Sequence, residues 1–397
     1  MLDLISGQIH YDYSMCQQCG ACLSSCPKHA LSTKELKNGL KSIVVDSNLC
    51  IRCKKCVNIC PAHRIVSDDT YNESFKNYEY YLSHNDNDLI RRAQSSGGAA
   101  KTLAIECLKA NLVDGVYSLK KTDTYPFAEG DFFCRENSPS FEMMPNSIYH
   151  SIMACRELYK VPNCNRLMVI GTTCQLYAAE KVLKGKFEKI IKIVIFCKQQ
   201  KTPEAMRFLA KYNRCKLPSN GCFELSYRGD GWTGFSTMMG VRTPYKKFSY
   251  LAFGRRLWTI PGCNACSDPY GKDIQADITI LDPRYVCEEN ELGDSFLVVM
   301  SDEGKRLVLS TPHLISQQIS YESSLQTLAL EDVKRKRLLA RCYTKENVPA
   351  IVKLAVRLEF ITRYWLELVV NALPRLPFAA YKILSKITPN WRDLLLR

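Results

Sequence analysis

Apolar positions in the middle of this chain fall into two rhythms, and they predict helices alternating with short strands. Leu103, Cys107 and Leu108 recur at helical spacing; Ser95 or Ser96 is placed to cap that helix, which runs to about Ala110. Val113–Leu119 then reads as a strand. A second unit follows, with an apolar strand from Arg166 to Gly171, a helix from about Cys174 and another strand from Ile190 to Phe196 that stops at Cys197. Strand–helix–strand units build a parallel sheet, and functional groups collect at the carboxyl ends of its strands. Cys174 and Cys197 both stand at such ends, so the fold is expected to bring them together. Tyr227–Phe235 reads as a glycine-rich turn between two strands, and Gln275–Pro283 as a strand flanked by acids.

The two ends of the chain look different. Near the start, Gln8–Tyr13 has some strand character and Leu40–Asp46 alternates as a strand. A polar stretch rich in Asn, Asp and Tyr from Asp68 to Asp88 reads as a connector. At the far end, Ile351, Leu354, Ala355, Leu358, Ile361, Trp365, Leu368, Val369 and Ala372 lie on one helical face, and Pro374 and Pro377 interrupt the pattern. A second apolar and basic stretch runs from Phe378 to Arg397. The expected organisation is a small module over 1–67, a linker over 68–88, a mixed α/β body over 89–320 and a basic helical tail over 321–397, α+β overall.

Length and composition agree with that division. The chain has 397 residues, 46% of them hydrophobic, enough for two or three buried cores. Its charge of +14 is uneven. From Glu331 onward fourteen Lys or Arg face six Asp or Glu, a local excess of +8. Nucleic acid is not expected as the target, because no binding motif accompanies the charge. The alternatives are an acidic partner and an anionic membrane surface; the tail helix either packs on the body or lies on that surface without crossing it. Twenty cysteines without a secretory leader imply a reducing, cytoplasmic setting, with the tail peripheral at the inner face of the membrane.

The cysteines are the most specific feature. Cys16-x2-Cys19-x2-Cys22-x3-Cys26-Pro27 is followed by the same pattern at Cys50, Cys53, Cys56, Cys60 and Pro61. Eight thiolates so spaced suit two [4Fe-4S] cubanes, each loop wrapping three corners of one cube while its fourth cysteine serves the other. One cluster then takes Cys16, Cys19, Cys22 and Cys60, and its neighbour takes Cys50, Cys53, Cys56 and Cys26. Structural zinc has no use for the third closely spaced thiolate or the trailing Cys-Pro. A disulfide scaffold does not suit a chain of this length. His29 and His63 follow the two Cys-Pro turns, but every iron corner is already supplied by sulfur. Cys107, Cys155, Cys164, Cys215, Cys222, Cys287 and Cys342 read as small hydrophobes or incidental thiols. Further on, Cys263-x2-Cys266 is too few for a cubane alone; with Cys174 and Cys197 there are four.

Two further sets of residues carry open alternatives. The small residues Ser95, Ser96, Gly97 and Gly98 at a helix start suit a phosphate or the polar edge of a flavin, or a tight turn that serves packing alone. Asp268 and Asp282 are each a proton donor, a flavin contact or a turn cap. Lys198 and Lys201 read first as a solvated charged face.

Taken in order, Ser95–Gly98 with Val113–Val116, Gly171-Thr-Thr-Cys-Gln175, Phe196-Cys197, Cys263-x2-Cys266-x-Asp268 and Ala276–Ile278 resemble the beta subunits of coenzyme F420 hydrogenases and dehydrogenases. The likeness spans about Arg91 to Leu309; Thr173 stands where the family usually has proline. The N-terminal loops resemble the two-cluster bacterial ferredoxin module. This resemblance implies a third [4Fe-4S] cluster on Cys174, Cys197, Cys263 and Cys266. It also implies FAD held by Ser95, Ser96, Gly97 and Gly98 with Thr172, Thr173 and Gln175. The fused module and basic tail resemble bacterial members associated with surface polysaccharide assembly. The implied activity is an iron–sulfur flavoprotein oxidoreductase that draws electrons from a donor such as a ferredoxin or reductase and reduces an organic substrate. The alternative is an electron-transfer subunit that feeds a partner enzyme.

Overall fold

The computed structural model describes residues 2–5, 8–63, 70–286, 290–343, 348–377 and 379. The N-terminal module opens with strands β1 (Leu2–Ile5) and β2 (Gln8–Tyr11), paired antiparallel. Helix α1 (Ala21–Ser25) follows the first cysteine loop. Strands β3 (Leu31–Glu35) and β4 (Lys41–Val45) form a hairpin that returns the chain to α2 (Lys55–Asn58). Strand β4 is the element expected between the two loops. Its end lies beside Cys26, because Asp46 N–H donates to Ala30 O at 2.8 Å.

The body begins earlier than the sequence suggests. Strand β5 (Glu79–Asn85) precedes α3 (Asp88–Ala93), α4 (Ala99–Lys109), β6 (Gly115–Lys121) and β7 (Ala128–Phe133). Next come β8 (Arg166–Gly171), α5 (Thr173–Leu183), β9 (Lys189–Ile195) and α6 (Glu204–Asn213). A small antiparallel sheet of β10 (Leu225–Ser226), β11 (Phe235–Met238) and β12 (Val241–Pro244) leads into α7 (Tyr245–Ser249). Strands β13 (Ile278–Leu281) and β14 (Ser295–Val299), helix α8 (Asp302–Ser310) and β15 (Leu314–Ile319) complete the body. Helices α9 (Tyr321–Leu328), α10 (Leu330–Tyr343) and α11 (Ala350–Ala372) form the tail.

The main sheet has the order β15-β5-β14-β13-β9-β8-β6-β7, with β13, β9, β8 and β6 parallel. Helices cover both faces, so its central strands are apolar on both sides, as parallel strands require. Met168 and Ile170 of β8 join α4 in one core, while Leu167 and Val169 turn to α5 in the other. Cys19, Ala21 and Ile59 of the N-terminal module pack into that second core.

Two expectations fail here. The stretch 68–88 is not simply a linker: β5 lies between β14 and β15, and Tyr71, Phe75 and Tyr80 are buried. Its Tyr, Ser, His and Asn residues read as polar, yet their hydroxyls and amides find partners inside; Tyr71 donates to Asp268 and Ser83 bonds Ser316. Secondly, α4 is preceded by Gly98 at its N-cap, not by Ser95 or Ser96. The segment Phe378–Arg397, except Ala379, lies outside the described residues.

Candidate metal centres

The two N-terminal cysteine loops fold back to back so that four sulfurs face each of two hollows. Cys16, Cys19, Cys22 and Cys60 line one, with Leu2, Ile43 and Ile59 as its apolar wall. Cys26, Cys50, Cys53 and Cys56 line the other, with Lys28, Arg52 and Lys54 at its mouth. Each hollow thus takes three cysteines from one loop and the fourth from the other. Gln18, 1% exposed, pins the first loop to β4: its Nε2 donates to Lys41 O and its Oε1 accepts from Lys41 N–H, both at 2.9 Å. Backbone N–H groups of Gln18 and Ala30 point at Cys16 and Cys26 sulfur, at 3.4 and 3.3 Å. Burial first, then Cys26, Cys53 and Cys50, pushes the Cys56 thiol up to about 11. Thiolates this crowded need cations among them, the condition that iron meets.

A second convergence lies at the carboxyl edge of the parallel strands. Cys174 opens α5 after β8, Cys197 follows β9, and Cys263 and Cys266 sit in and just after the 3-10 turn Pro261–Asn264. Burial and then Cys266 and Cys263 push Cys174 up to about 12. Cys197 is pushed up by burial and then by Cys263, Cys174 and Cys266. Cys174 and Cys197 thus both lie within electrostatic reach of Cys263 and Cys266. Among the described residues no three His, Cys, Asp or Glu side chains gather closely enough for one metal ion. A single zinc would draw its sulfurs to about 2.3 Å from one point, whereas a cubane spreads them over separate irons.

This quartet abuts the first hollow. Cys155 N–H donates to Cys19 O at 2.9 Å, and its thiol faces Gln175 O at 3.4 Å. Burial, then Cys155 and Cys174, raises the Cys19 thiol, so these sulfurs bridge module and body. On the other side, Gly262 lies against the first cysteine loop: a Cβ there would meet Cys16 O at 2.3 Å. Helix α10 closes the site from outside, where Lys336, 6% exposed, donates to Cys263 O at 3.0 Å. Its charge counteracts the rise of the Cys197 and Cys263 thiols. Neither Cys155 nor Lys336 was legible as part of a site, since each is brought there only by tertiary packing.

Along the same edge stand the residues expected to hold a flavin. The register pairs Leu281 with Phe296 and Ser295 with Ser83, which sets the Ser95–Gly98 loop beside the ends of β13 and β14. Gly97 is required there, because a Cβ would lie 2.5 Å from Ser83 O and 2.6 Å from Ser295 N. Much of this loop is used internally. Ser95 Oγ accepts from Ser147 N–H, Ser96 Oγ donates to Asp294 O, and Ala99 N–H at the start of α4 donates to Ser295 Oγ. Thr172 and Gln175 form a reciprocal cap of α5, with Thr172 N–H donating to Gln175 Oε1 at 2.9 Å. Unfulfilled capacity lies nearby. Thr173 Oγ1, Gln94 Oε1 and Nε and Nη2 of Arg228 are buried without a hydrogen-bond partner among the described residues. Arg228, 2% exposed, is held by two 2.8 Å bonds from Nη1 to Asp282 and lies against Trp232 and Tyr245. Orphaned donors on a buried guanidinium suit an anionic or carbonyl-bearing cofactor. The glycine-rich turn that carries Arg228 was visible in the sequence; its position over Asp282 was not.

Other candidates resolve into structure. Asp268 accepts from Tyr71 and from Lys272 and Asp273 N–H groups, a turn cap. Lys201 is no solvated charge: it is fully buried, donating to Ala252 O, Leu257 O and Thr259 Oγ1, and burial pushes its pKa well down. Lys198 pairs with Asp332 at 2.8 Å. His29 and His63 are exposed, as expected, and Cys287 lies outside the described residues.

Cysteine hollows joined to an α/β body define an iron–sulfur electron-transfer protein of the oxidoreductase class. Residues 15–64 match the 4Fe-4S dicluster domain, and residues 80–136 and 164–313 match the N-terminal and C-terminal parts of the coenzyme F420 hydrogenase/dehydrogenase beta subunit. The chain belongs to that beta subunit family, with a two-cluster ferredoxin module at its start. A chain in the xenon-derivatized structure of the F420-reducing [NiFe] hydrogenase complex from Methanosarcina barkeri is similar at 15% identity and a TM-score of 0.47, over 69% of this chain and 93% of that one. No curated protein matches.

Proposed function

We propose that this protein is an iron–sulfur flavoprotein oxidoreductase that takes electrons from an external donor and reduces an organic substrate. Cys16, Cys19, Cys22 and Cys60 hold one cluster of the module; Cys26, Cys50, Cys53 and Cys56 hold the other. Cys174, Cys197, Cys263 and Cys266 hold a third. FAD belongs on the carboxyl edge, held by Arg228, Thr173 and Gln94 against the Ser95–Gly98 loop, with Thr172 and Gln175 fixing the start of α5. When bound, a flavin supplies exchange between one-electron and two-electron chemistry. Arg228 offers two N–H donors to the cofactor while Asp282 neutralises and orients it. Lys336 and the apolar wall around Cys19 keep water from the sulfurs between module and body. The fused module and basic tail support surface polysaccharide assembly as the setting of the substrate.

The observation that carries this reading is the convergence of Cys174, Cys197, Cys263 and Cys266 next to Cys19. Iron and flavin analysis of anaerobically purified protein tests it, beside a Cys263→Ala/Cys266→Ala variant. Three cubanes give about twelve irons per chain, with about one FAD, and the variant loses about four irons. About eight irons, no flavin and no change in the variant would reduce the body to the scaffold of an electron carrier.

A further inference from the structure

The largest exposed apolar feature of the described residues is one face of α11. Ile351, Leu354, Leu358, Ile361, Trp365 and Leu368 are 71, 52, 54, 54, 62 and 44% exposed. They recur every three or four residues, so they form a single stripe along a 23-residue helix. Monomeric soluble proteins seldom leave a stripe of this length uncovered. The opposite face is fully committed to the body. Glu367 accepts from Trp258 N–H at 2.6 Å, Asn371 accepts from Trp258 Nε1, Val370 is buried, and Glu359 pairs with Arg256 at 3.2 Å.

Charge decides what covers the stripe. Both acids of α11 are engaged on the body side, while Arg357 is exposed and Lys353 is half-buried at the border; Arg375, just past the helix, turns back to donate to Tyr212 O at 3.3 Å. The chain beyond adds Lys382, Lys386, Arg392 and Arg397 against Asp393 alone. With Lys353, Arg357, Glu359, Arg363 and Glu367 along its length, α11 is not a membrane-crossing helix. Its build is that of a helix lying in the plane of an interface, with an indole on the exposed apolar stripe and cations beside it.

We propose that α11 docks this protein onto an anionic phospholipid surface, with the Ile351–Leu368 stripe sunk into the acyl boundary and Lys353 and Arg357 at the headgroups. A second copy of the chain would need acids to meet that border, and α11 has used its own. Since Trp258, which holds α11, precedes the Pro261–Asn264 turn, the bilayer lies one packing layer from Cys263.

Co-sedimentation of the full-length protein tests this, using vesicles of phosphatidylcholine alone and of equimolar phosphatidylcholine and phosphatidylglycerol. Two headgroup-level cations predict binding to the anionic vesicles tighter by about thirtyfold, and weakened by salt. Leu358→Glu/Trp365→Glu should abolish binding with iron content and melting temperature unchanged, since both positions are exposed. Trp365→Phe should bind but lose the blue shift of indole emission on vesicle addition. Equal binding to both vesicle types, or full binding by the double glutamate variant, would overturn the proposal. So would protein that stays in the supernatant while light scattering finds a dimer that the same variant separates, which would assign the stripe to a second copy.

Discussion

Lys336 shows how a single residue sets the character of a site without ligating anything. It sits in a run of four basic residues, Lys334–Arg337, that in sequence looks like a solvated face, yet Lys336 and Arg337 are buried and donate to Cys263 O and Ser267 O. A buried cation beside a sulfur-ligated cluster favours the more negative, reduced form, and so raises its potential. Lys336→Met should therefore lower the midpoint of the proposed third cluster by on the order of 59 mV, a tenfold change for a one-electron couple. An EPR-monitored redox titration reads it, and the two N-terminal clusters serve as internal controls that should not move. Local spacing marks the N-terminal eight cysteines and the Cys263-x2-Cys266 pair, and strand ends mark Cys174 and Cys197. Lys336, Cys155, Lys201 and Arg228 carry no such mark, because nothing in a residue's neighbours along the chain says which distant carbonyl or thiol it will meet.

At the scale of elements, the parallel core was readable from its apolar runs: β6, β8 and β9 lie within two residues of their expected bounds. Strand β5 was hidden because its inward positions are Tyr, Ser and Asn, residues that satisfy themselves by hydrogen bonds only once the sheet exists. The seating of the module on the body was equally unreadable, and it depends on Gly262. Any side chain there meets backbone on three sides, Cys16 O at 2.3 Å, Cys16 C at 2.5 Å and Met15 O at 2.6 Å, so no rotamer change relieves it. Gly262→Ala should cost about 1–3 kcal/mol as the two elements part. Thermal unfolding measures that loss. With the iron count intact, weakened magnetic coupling between the reduced first cluster and the proposed third would locate the damage at this contact and not in either cluster.

Across the whole molecule the three sulfur quartets adjoin one another in turn, and among the described residues their most open thiol lies in the outer hollow of the module. Cys53 is exposed, whereas Cys19 and Cys263 are buried in the contact between module and body. Arg52 and Lys54 are exposed beside Cys53, and Lys28 lines the same hollow. The external donor proposed above would enter at this end, where the charge favours an acidic one, such as a ferredoxin, through long-range attraction. Arg52→Glu/Lys54→Glu should slow reduction by an acidic ferredoxin about tenfold or more at low ionic strength. The difference should shrink as salt is raised and the Debye length falls to about 8 Å at 0.15 M. Reduction by dithionite, a small reagent that needs no docked surface, should be nearly unchanged. Stopped-flow absorbance at two salt concentrations separates the cases. A loss of rate equal for both reductants would mean that the substitutions had damaged the cluster itself, and a salt-independent rate for the unaltered protein would place donor entry elsewhere on the chain.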